Sequence, residues 1–171
     1  MQARTAVLWT SPGRAGQRRT LGWVWSQRSV VDYGLARRAA LTALRGTGST
    51  SREDVCDAHP YLVRAARHHG EPTGRECPVC GRVPLTEVSY AYGDELGALS
   101  GRVRSGRELA EMAHQHGEFR VYVVEVCAGG RATSRADLGS RGGCGWNHLV
   151  LSYVLGDGVR RESSRRRTAD R

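Results

Sequence analysis

The spacing of apolar positions predicts a helical first part of the chain. Over 30–45 the apolar residues recur at helical spacing, and the glycines that follow predict the end of this helix. Residues 50–53 have the form of a capping box and predict a short helix over 51–58. Pro60 fits the first position of a third helix, over 60–69. We therefore expect three short helices, packed together or arranged as a helix-turn-helix.

The second part of the chain has the alternation of a β-sheet. Residues 85–92 alternate between two faces, 119–126 are rich in Val and Tyr, and 149–155 form another apolar run. A second capping-box pattern predicts a helix over 105–115 between the first two strands. The expected fold class is α+β, with short N-terminal helices followed by a small antiparallel sheet that contains one inserted helix.

The positive charge of the chain lies at its two ends. The net charge is +9, but residues 1–31 contribute +5 and 158–171 contribute +4, so the middle is neutral. These ends lack a regular apolar pattern, and we expect them to be disordered. The predicted segments are a basic extension (1–29), a helical segment (30–71), a β domain (72–157) with a loop insertion (128–143), and an Arg-rich tail (158–171).

Four cysteines predict a structural zinc site. Cys77 and Cys80 have C-x2-C spacing in a turn that Gly81 allows to fold back, while Cys127 ends one predicted strand and Cys144 precedes another. Four thiolates around Zn²⁺ form a closed set that stabilises a fold, so the β domain is expected to resemble a zinc ribbon. The count of five cysteines disfavours a disulfide framework and favours a reducing, cytoplasmic setting. No apolar run reaches the roughly 20 residues of a membrane span.

The long separation of the second cysteine pair is the weak point of this prediction. Sixteen residues lie between Cys127 and Cys144, where a ribbon has two. The added loop costs about 2 kcal/mol of closure entropy, against on the order of 10–16 kcal/mol from zinc binding. We expect the site to survive but to lose the rigid turn that aims these two sulfurs. The alternatives are that both are ordinary thiols, or that His148 replaces a ligand.

The other cysteine, histidine and acidic residues that could form a site are interpreted as parts of the fold. Cys56 and His59 have C-x2-H spacing, which we interpret as a small core residue and a polar group at a helix junction. Asp94, Glu95 and Glu125 are candidate acids that no pattern places together. No phosphate loop, dinucleotide motif or catalytic triad pattern occurs, and no small-molecule substrate is indicated.

Several phrases resemble an actinobacterial family of small proteins known as a domain of unknown function. These phrases are Val30-Val31-Asp32-Tyr33, Arg37-Arg38-Ala39, Glu53 to Pro60, Ala65 to Gly70, Cys77-Pro78-Val79-Cys80, Tyr92 to Gly97, Val123 to Cys127, and Cys144 to Leu149. The resemblance implies a cytoplasmic bacterial protein with two C-x-x-C pairs and carries no established activity. The chain departs from this pattern in its N-terminal extension and in the insertion inside its second pair.

Three functions are compatible with these features. The first is a non-enzymatic zinc protein that acts as an adaptor on a larger machine such as RNA polymerase or the ribosome. The second is a DNA- or RNA-binding protein that uses the 51–69 helices and the Arg-rich ends. The third is a thiol redox protein that uses Cys77 and Cys80. The closed zinc site favours the first and argues against an enzyme.

Overall fold

The computed structural model describes residues 27–46, 50–129 and 142–158. The elements in these ranges are β1 (Arg28–Asp32), α1 (Gly34–Arg45), α2 (Arg52–Val55), α3 (Pro60–His69), β2 (Glu71–Glu76), β3 (Pro84–Tyr92), a 3-10 helix (Asp94–Leu99), β4 (Arg102–Val103), α4 (Gly106–Gln115), β5 (Phe119–Val126) and β6 (Asn147–Leu155). Among these helices, none has the length and apolar character needed to cross a membrane.

The strands form one antiparallel sheet in the order β1-β6-β5-β3-β2, with β4 paired to β3. β5 lies at the centre, where Val124 pairs with Val88 of β3 and Val123 pairs with Leu151 of β6. The α+β class is therefore confirmed. The sheet has six strands in the described residues, and its likeness to a zinc ribbon stays a prediction.

Helices cover both faces of this sheet, because successive side chains of a strand point to opposite faces. On one face, α4 packs its buried Leu109 and Ala113 against Phe119 and Val121 of β5. On the other face, α3 packs Ala66 against the neighbouring strands. A third apolar cluster lies beside α1 and contains the buried residues Leu41, Cys77, Val83, Leu85, Cys127 and Trp146. This third cluster is where the candidate site lies.

The helices predicted at 60–69 and 105–115 and the strand at 119–126 are confirmed. His59 caps α3, since its Nδ1 accepts a hydrogen bond from the backbone N–H of Tyr61 at 3.3 Å, which agrees with a role at a helix junction. The capping box of α4 is formed by Ser105 and Glu108. Local signals identified the two helices because each follows a residue whose side chain accepts a hydrogen bond from a free backbone N–H of the first turn.

The prediction of a helix from residue 30 is wrong at its start. Residues 28–32 are strand β1, paired with β6, and the helix begins only at Gly34. The strand therefore overlaps the end of the extension predicted over 1–29. The second helix is also shorter than the predicted 51–58, and its cap is Ser51 with Asp54 as the reciprocal acid. In both places, contacts with distant strands or segments override the local helical pattern.

Three predicted features lie wholly or largely outside the described residues. They are residues 1–26 of the basic extension, residues 130–141 of the loop insertion, and the tail from residue 159. The two ends of the insertion are described, and Gly129 pairs with Gly142 in an antiparallel bridge.

Candidate metal centre

The first cysteine pair lies in a tight turn between β2 and β3. The N–H of Gly81 donates to the carbonyl of Cys77 at 2.9 Å, and Gly81 adopts a φ of +59°, which favours glycine. The N–H of Cys77 in turn donates to the carbonyl of Val83 at 3.0 Å. The turn thus folds the backbone behind the two sulfurs and leaves both on the same side.

The second pair forms an equivalent turn despite its insertion. The N–H of Gly145 donates to the carbonyl of Cys127 at 3.2 Å, and Gly145 has a φ of +85°, so it repeats the role of Gly81. The N–H of Cys144 also donates to the Cys127 sulfur at 3.3 Å. The expectation that the insertion removes the rigid turn is therefore wrong. Pairing between β5 and β6 holds Cys127 close to Cys144, and the bridge between Gly129 and Gly142 holds the two ends of the insertion together. The insertion therefore lengthens the chain between the two cysteines without separating them.

A close backbone approach locks this second turn. The N–H of Cys127 donates to the carbonyl of Trp146 at 2.8 Å, which continues the ladder of β5 and β6 beyond their ends. A Cβ atom at Gly143 would lie 1.9 Å from the carbonyl oxygen of Cys127, whereas one at Gly142 would meet no atom of the described residues within 4 Å. Position 143 therefore requires glycine, because no side chain fits between the two segments.

The two turns bring together the sulfurs of Cys77, Cys80, Cys127 and Cys144, which all lie within 4.8 Å of one another. The sulfurs of Cys77 and Cys144 are 3.6 Å apart, and those of Cys80 and Cys127 are 3.7 Å apart. Tetrahedral zinc with Zn–S bonds of about 2.3 Å requires sulfurs about 3.8 Å apart. The four cysteines thus fit a tetrathiolate metal site.

The surroundings shift the pKa values of the cysteine thiols in different directions. Burial raises the pKa of the Cys77 thiol and that of the Cys127 thiol. Burial acts in the same direction on Cys80, but hydrogen bonds from the backbone of Arg82 and from the thiols of Cys127 and Cys77 outweigh it, and the pKa of Cys80 falls to about 6. The surroundings of Cys80 therefore favour its thiolate, which is the form of cysteine that binds a cation.

Two arginines place positive charge beside the cluster. The side chain of Arg82 interacts with Cys80, and that of Arg52 interacts with Cys144. Four thiolates around a divalent ion carry a net charge of −2, which nearby guanidinium groups offset. Nothing in the sequence pattern predicted that Arg52, which lies in α2, would reach this site.

A buried carboxylate connects the cluster to α1. Glu125 is fully buried, and its Oε1 accepts hydrogen bonds from Arg37 Nε at 2.5 Å and from Trp146 Nε1 at 2.9 Å. Its Oε2 has no hydrogen-bond partner among the described residues and lies 3.6 Å from the guanidinium of Arg75. Because Trp146 packs in the same cluster as the cysteines, this network joins α1, β5 and the metal centre.

The other candidate groups lie apart from the four sulfurs. His148 stacks on Trp146, and its Nδ1 lies 2.6 Å from the carbonyl oxygen of Leu149, so it does not join the cysteines. Glu95 accepts a hydrogen bond from the N–H of Gly117 and does not pair with Glu125.

Cys56 makes one contact that the sequence interpretation did not include. It packs against the apolar cluster as expected, but its sulfur lies 3.5 Å from that of Cys144. Burial, followed by the neighbouring Cys144 thiol, raises the pKa of Cys56 to about 11. Cys56 is outside the group of four whose sulfurs all approach one another. The odd cysteine count was the one signal that pointed to such an extra thiol.

Comparison with known proteins places the chain in a family. Residues 24–169 match the model of a family described as "Family of unknown function (DUF5318)". The chain belongs to this family. It is also 45% identical over 126 residues to the uncharacterized proteins Rv0049 of Mycobacterium tuberculosis and Mb0050 of Mycobacterium bovis, which covers 74% of this chain and 81% of each relative. No solved structure matches the chain. The resemblance to an actinobacterial domain of unknown function is thus confirmed.

Proposed function

We propose that the protein binds one structural Zn²⁺ through Cys77, Cys80, Cys127 and Cys144. The observation that carries this proposal is the convergence of four sulfurs, from two turns of the same construction, at the separations that tetrahedral zinc requires. All four ligands come from the protein, so the site is closed and stabilises the fold rather than activating water. Such a site is suited to the reducing cytoplasm.

Elemental analysis of the purified full-length chain tests this proposal. We expect one zinc ion per chain in the parent protein and none in Cys77→Ser, which should also lose cooperative unfolding of the sheet, because binding energy at such sites is folding energy. Cys56→Ser is the matched control and should keep its zinc. Zinc retained by Cys77→Ser, or lost equally from both variants, would contradict the assignment of ligands.

We further propose that the zinc-stabilised fold acts as a non-enzymatic adaptor that docks on a larger bacterial machine, RNA polymerase or the ribosome. Support comes from a shallow groove of about 590 Å³ on the sheet face that α3 covers only in part. The groove is lined by Tyr90, Tyr92, Tyr122, Val124 and Leu149. These residues are uncharged and rich in tyrosine, which is the composition of the centre of protein–protein interfaces.

Binding to the purified machines tests the adaptor role. The chain should bind RNA polymerase or ribosomes at physiological salt, and Tyr92→Ala should weaken that binding, because Tyr92 is 46% exposed and packs edge-on against Tyr122 in the groove. Tyr61→Ala is the control, since Tyr61 is 71% exposed but lies on α3, outside the groove. Binding to neither machine, or an equal effect of the two substitutions, would refute this role.

Direct binding to DNA or RNA is the second candidate, and the charge of the two chain ends favours it. The 51–69 helices add no excess, since they contain three arginines and three acids. Binding that falls steeply with salt and disappears when 1–26 and 159–171 are removed would show that the ends supply it. Binding that persists in the shortened chain would assign it to the folded part.

A further inference from the structure

Cys56 places a fifth thiol against one corner of the proposed zinc site. Its sulfur is 3.5 Å from that of Cys144, which is itself 3.6 Å from that of Cys77. Cys56 and Cys144 are both partly exposed, whereas Cys77 and Cys127 are buried. One proposed ligand, Cys144, is therefore in direct contact with a cysteine outside the set of ligands, and both residues are partly exposed.

The backbone holds this pair in place. The N–H of Ala58 donates to the carbonyl of Gly145 at 3.0 Å. The side-chain amide of Asn147 donates to the Asp57 carboxylate at 2.9 Å. A Cβ atom at Gly145 would lie 2.7 Å from the carbonyl oxygen of Cys56, so the two segments touch directly. Contacts of the residues that directly follow each cysteine thus hold Cys56 beside Cys144.

Arg52 places a positive charge beside this pair. Its side chain, one turn before Cys56 in α2, interacts with both Cys56 and Cys144. A guanidinium group in this position offsets the negative charge of the proposed zinc–thiolate site.

We propose that Cys144 is a peroxide-sensitive zinc ligand and that Cys56 is its resolving thiol. This proposal rests on the zinc site proposed above. A hydroperoxide oxidises the Cys144 thiolate to a sulfenic acid and is itself reduced, so that RS⁻ and H₂O₂ give RSOH and OH⁻. The Cys56 thiol then attacks the sulfenic sulfur, which forms the Cys56–Cys144 disulfide and releases water.

The disulfide removes one of the four zinc ligands. The two sulfurs must approach from 3.5 Å to the bonded separation of about 2.05 Å, a movement of roughly 1.5 Å. Cys144 then has no thiolate to offer, and the metal keeps only Cys77, Cys80 and Cys127. A site with three protein ligands is open to water and holds zinc more weakly. Reduction of the disulfide by a thiol restores the fourth ligand.

Treatment of the full-length, zinc-loaded protein with H₂O₂ tests the proposal. Zinc content is measured first, release is then followed with a colorimetric chelator, and peptides are mapped without reduction. We expect zinc release together with a Cys56–Cys144 disulfide, and recovery of full zinc binding after addition of thiol and zinc. Cys77 also lies 3.6 Å from Cys144, but as a proposed ligand it stays bound to the zinc. In Cys56→Ser the Cys144 sulfenic acid therefore lacks a free resolving thiol, so it should proceed to sulfinic acid, and zinc binding should not recover.

Two results would overturn the proposal. One is a disulfide that joins Cys77 to Cys80 in place of the expected pair, and the other is equal recovery of the parent and Cys56→Ser. Failure of the zinc site itself is separately visible, because the protein would then contain no zinc before oxidant is added. The Cys56–Cys144 disulfide would still be expected in that metal-free protein, since the contact between the two sulfurs does not depend on the ion.

Discussion

Removal of Arg37 should destabilise the protein by leaving a buried charge without its main partner. Glu125 is fully buried. Without Arg37, the partners left to its carboxylate among the described residues are the hydrogen bond from Trp146 and the guanidinium of Arg75 at 3.6 Å. Breaking a buried ion pair from one side costs about 3–5 kcal/mol. Because the Arg37 side chain is 22% exposed and Trp146 still donates, we expect Arg37→Ala to lower the free energy of unfolding by about 3 kcal/mol.

Urea unfolding of the zinc-loaded protein measures this effect. Arg38→Ala is the matched control, because Arg38 is the next residue of α1 and is exposed, so its removal should change stability by less than about 0.5 kcal/mol. In a Glu125→Gln background the buried charge is gone, and the cost of Arg37→Ala should shrink. Equal effects of the two arginine substitutions would refute the view that Arg37 compensates Glu125.

Two further predictions concern the metal turn and its ionisation. Gly143→Ala should prevent zinc binding, since its Cβ would lie 1.9 Å from the Cys127 carbonyl oxygen. Gly142→Ala is the control and should bind zinc normally. Equal zinc content in the two variants would contradict the close approach of the two backbone segments. Burial raises the pKa of Cys77 and of Cys127, so above the usual cysteine pKa of about 8.5 the folded metal-free protein holds more protons than the unfolded chain. The free energy of unfolding of the metal-free protein should therefore fall as pH rises above about 8.5. The zinc form binds these sulfurs as thiolates, so the gap in urea midpoint between the zinc-loaded and chelator-treated protein should widen from pH 7 to pH 10. A constant gap would argue against the raised pKa values.

The sequence predicts best the elements whose signals are local. Pro60 and the capping box at Ser105 each mark a helix start directly, and the β-branched alternation of β5 identifies the central strand. β1 was missed because all five of its residues are exposed and its stability comes from pairing with β6. β2 was missed because it is an edge strand that contains Pro72 and Gly74, which local patterns assign to turns.

In the candidate site too, the parts with a local signal were predicted and the parts that depend on distant contacts were not. C-x2-C spacing is a local signal, and it placed the Cys77–Cys80 turn correctly. The second turn depends on pairing between β5 and β6, so the spacing of Cys127 and Cys144 alone predicted that the turn was lost. The contacts of Cys56 and Glu125 arise where distant segments meet on one sheet face, and no pattern along the chain indicates such a meeting.

X-ray absorption at the zinc edge of the purified protein identifies the atoms bound to the metal. A site made of four cysteines predicts four sulfur neighbours at about 2.3 Å and no nitrogen or oxygen in the inner coordination sphere. The spectrum of Cys56→Ser should be unchanged, because Cys56 lies outside the set of four ligands. A mixed sulfur and nitrogen sphere, or three sulfurs with a water oxygen, would contradict a closed site built from Cys77, Cys80, Cys127 and Cys144.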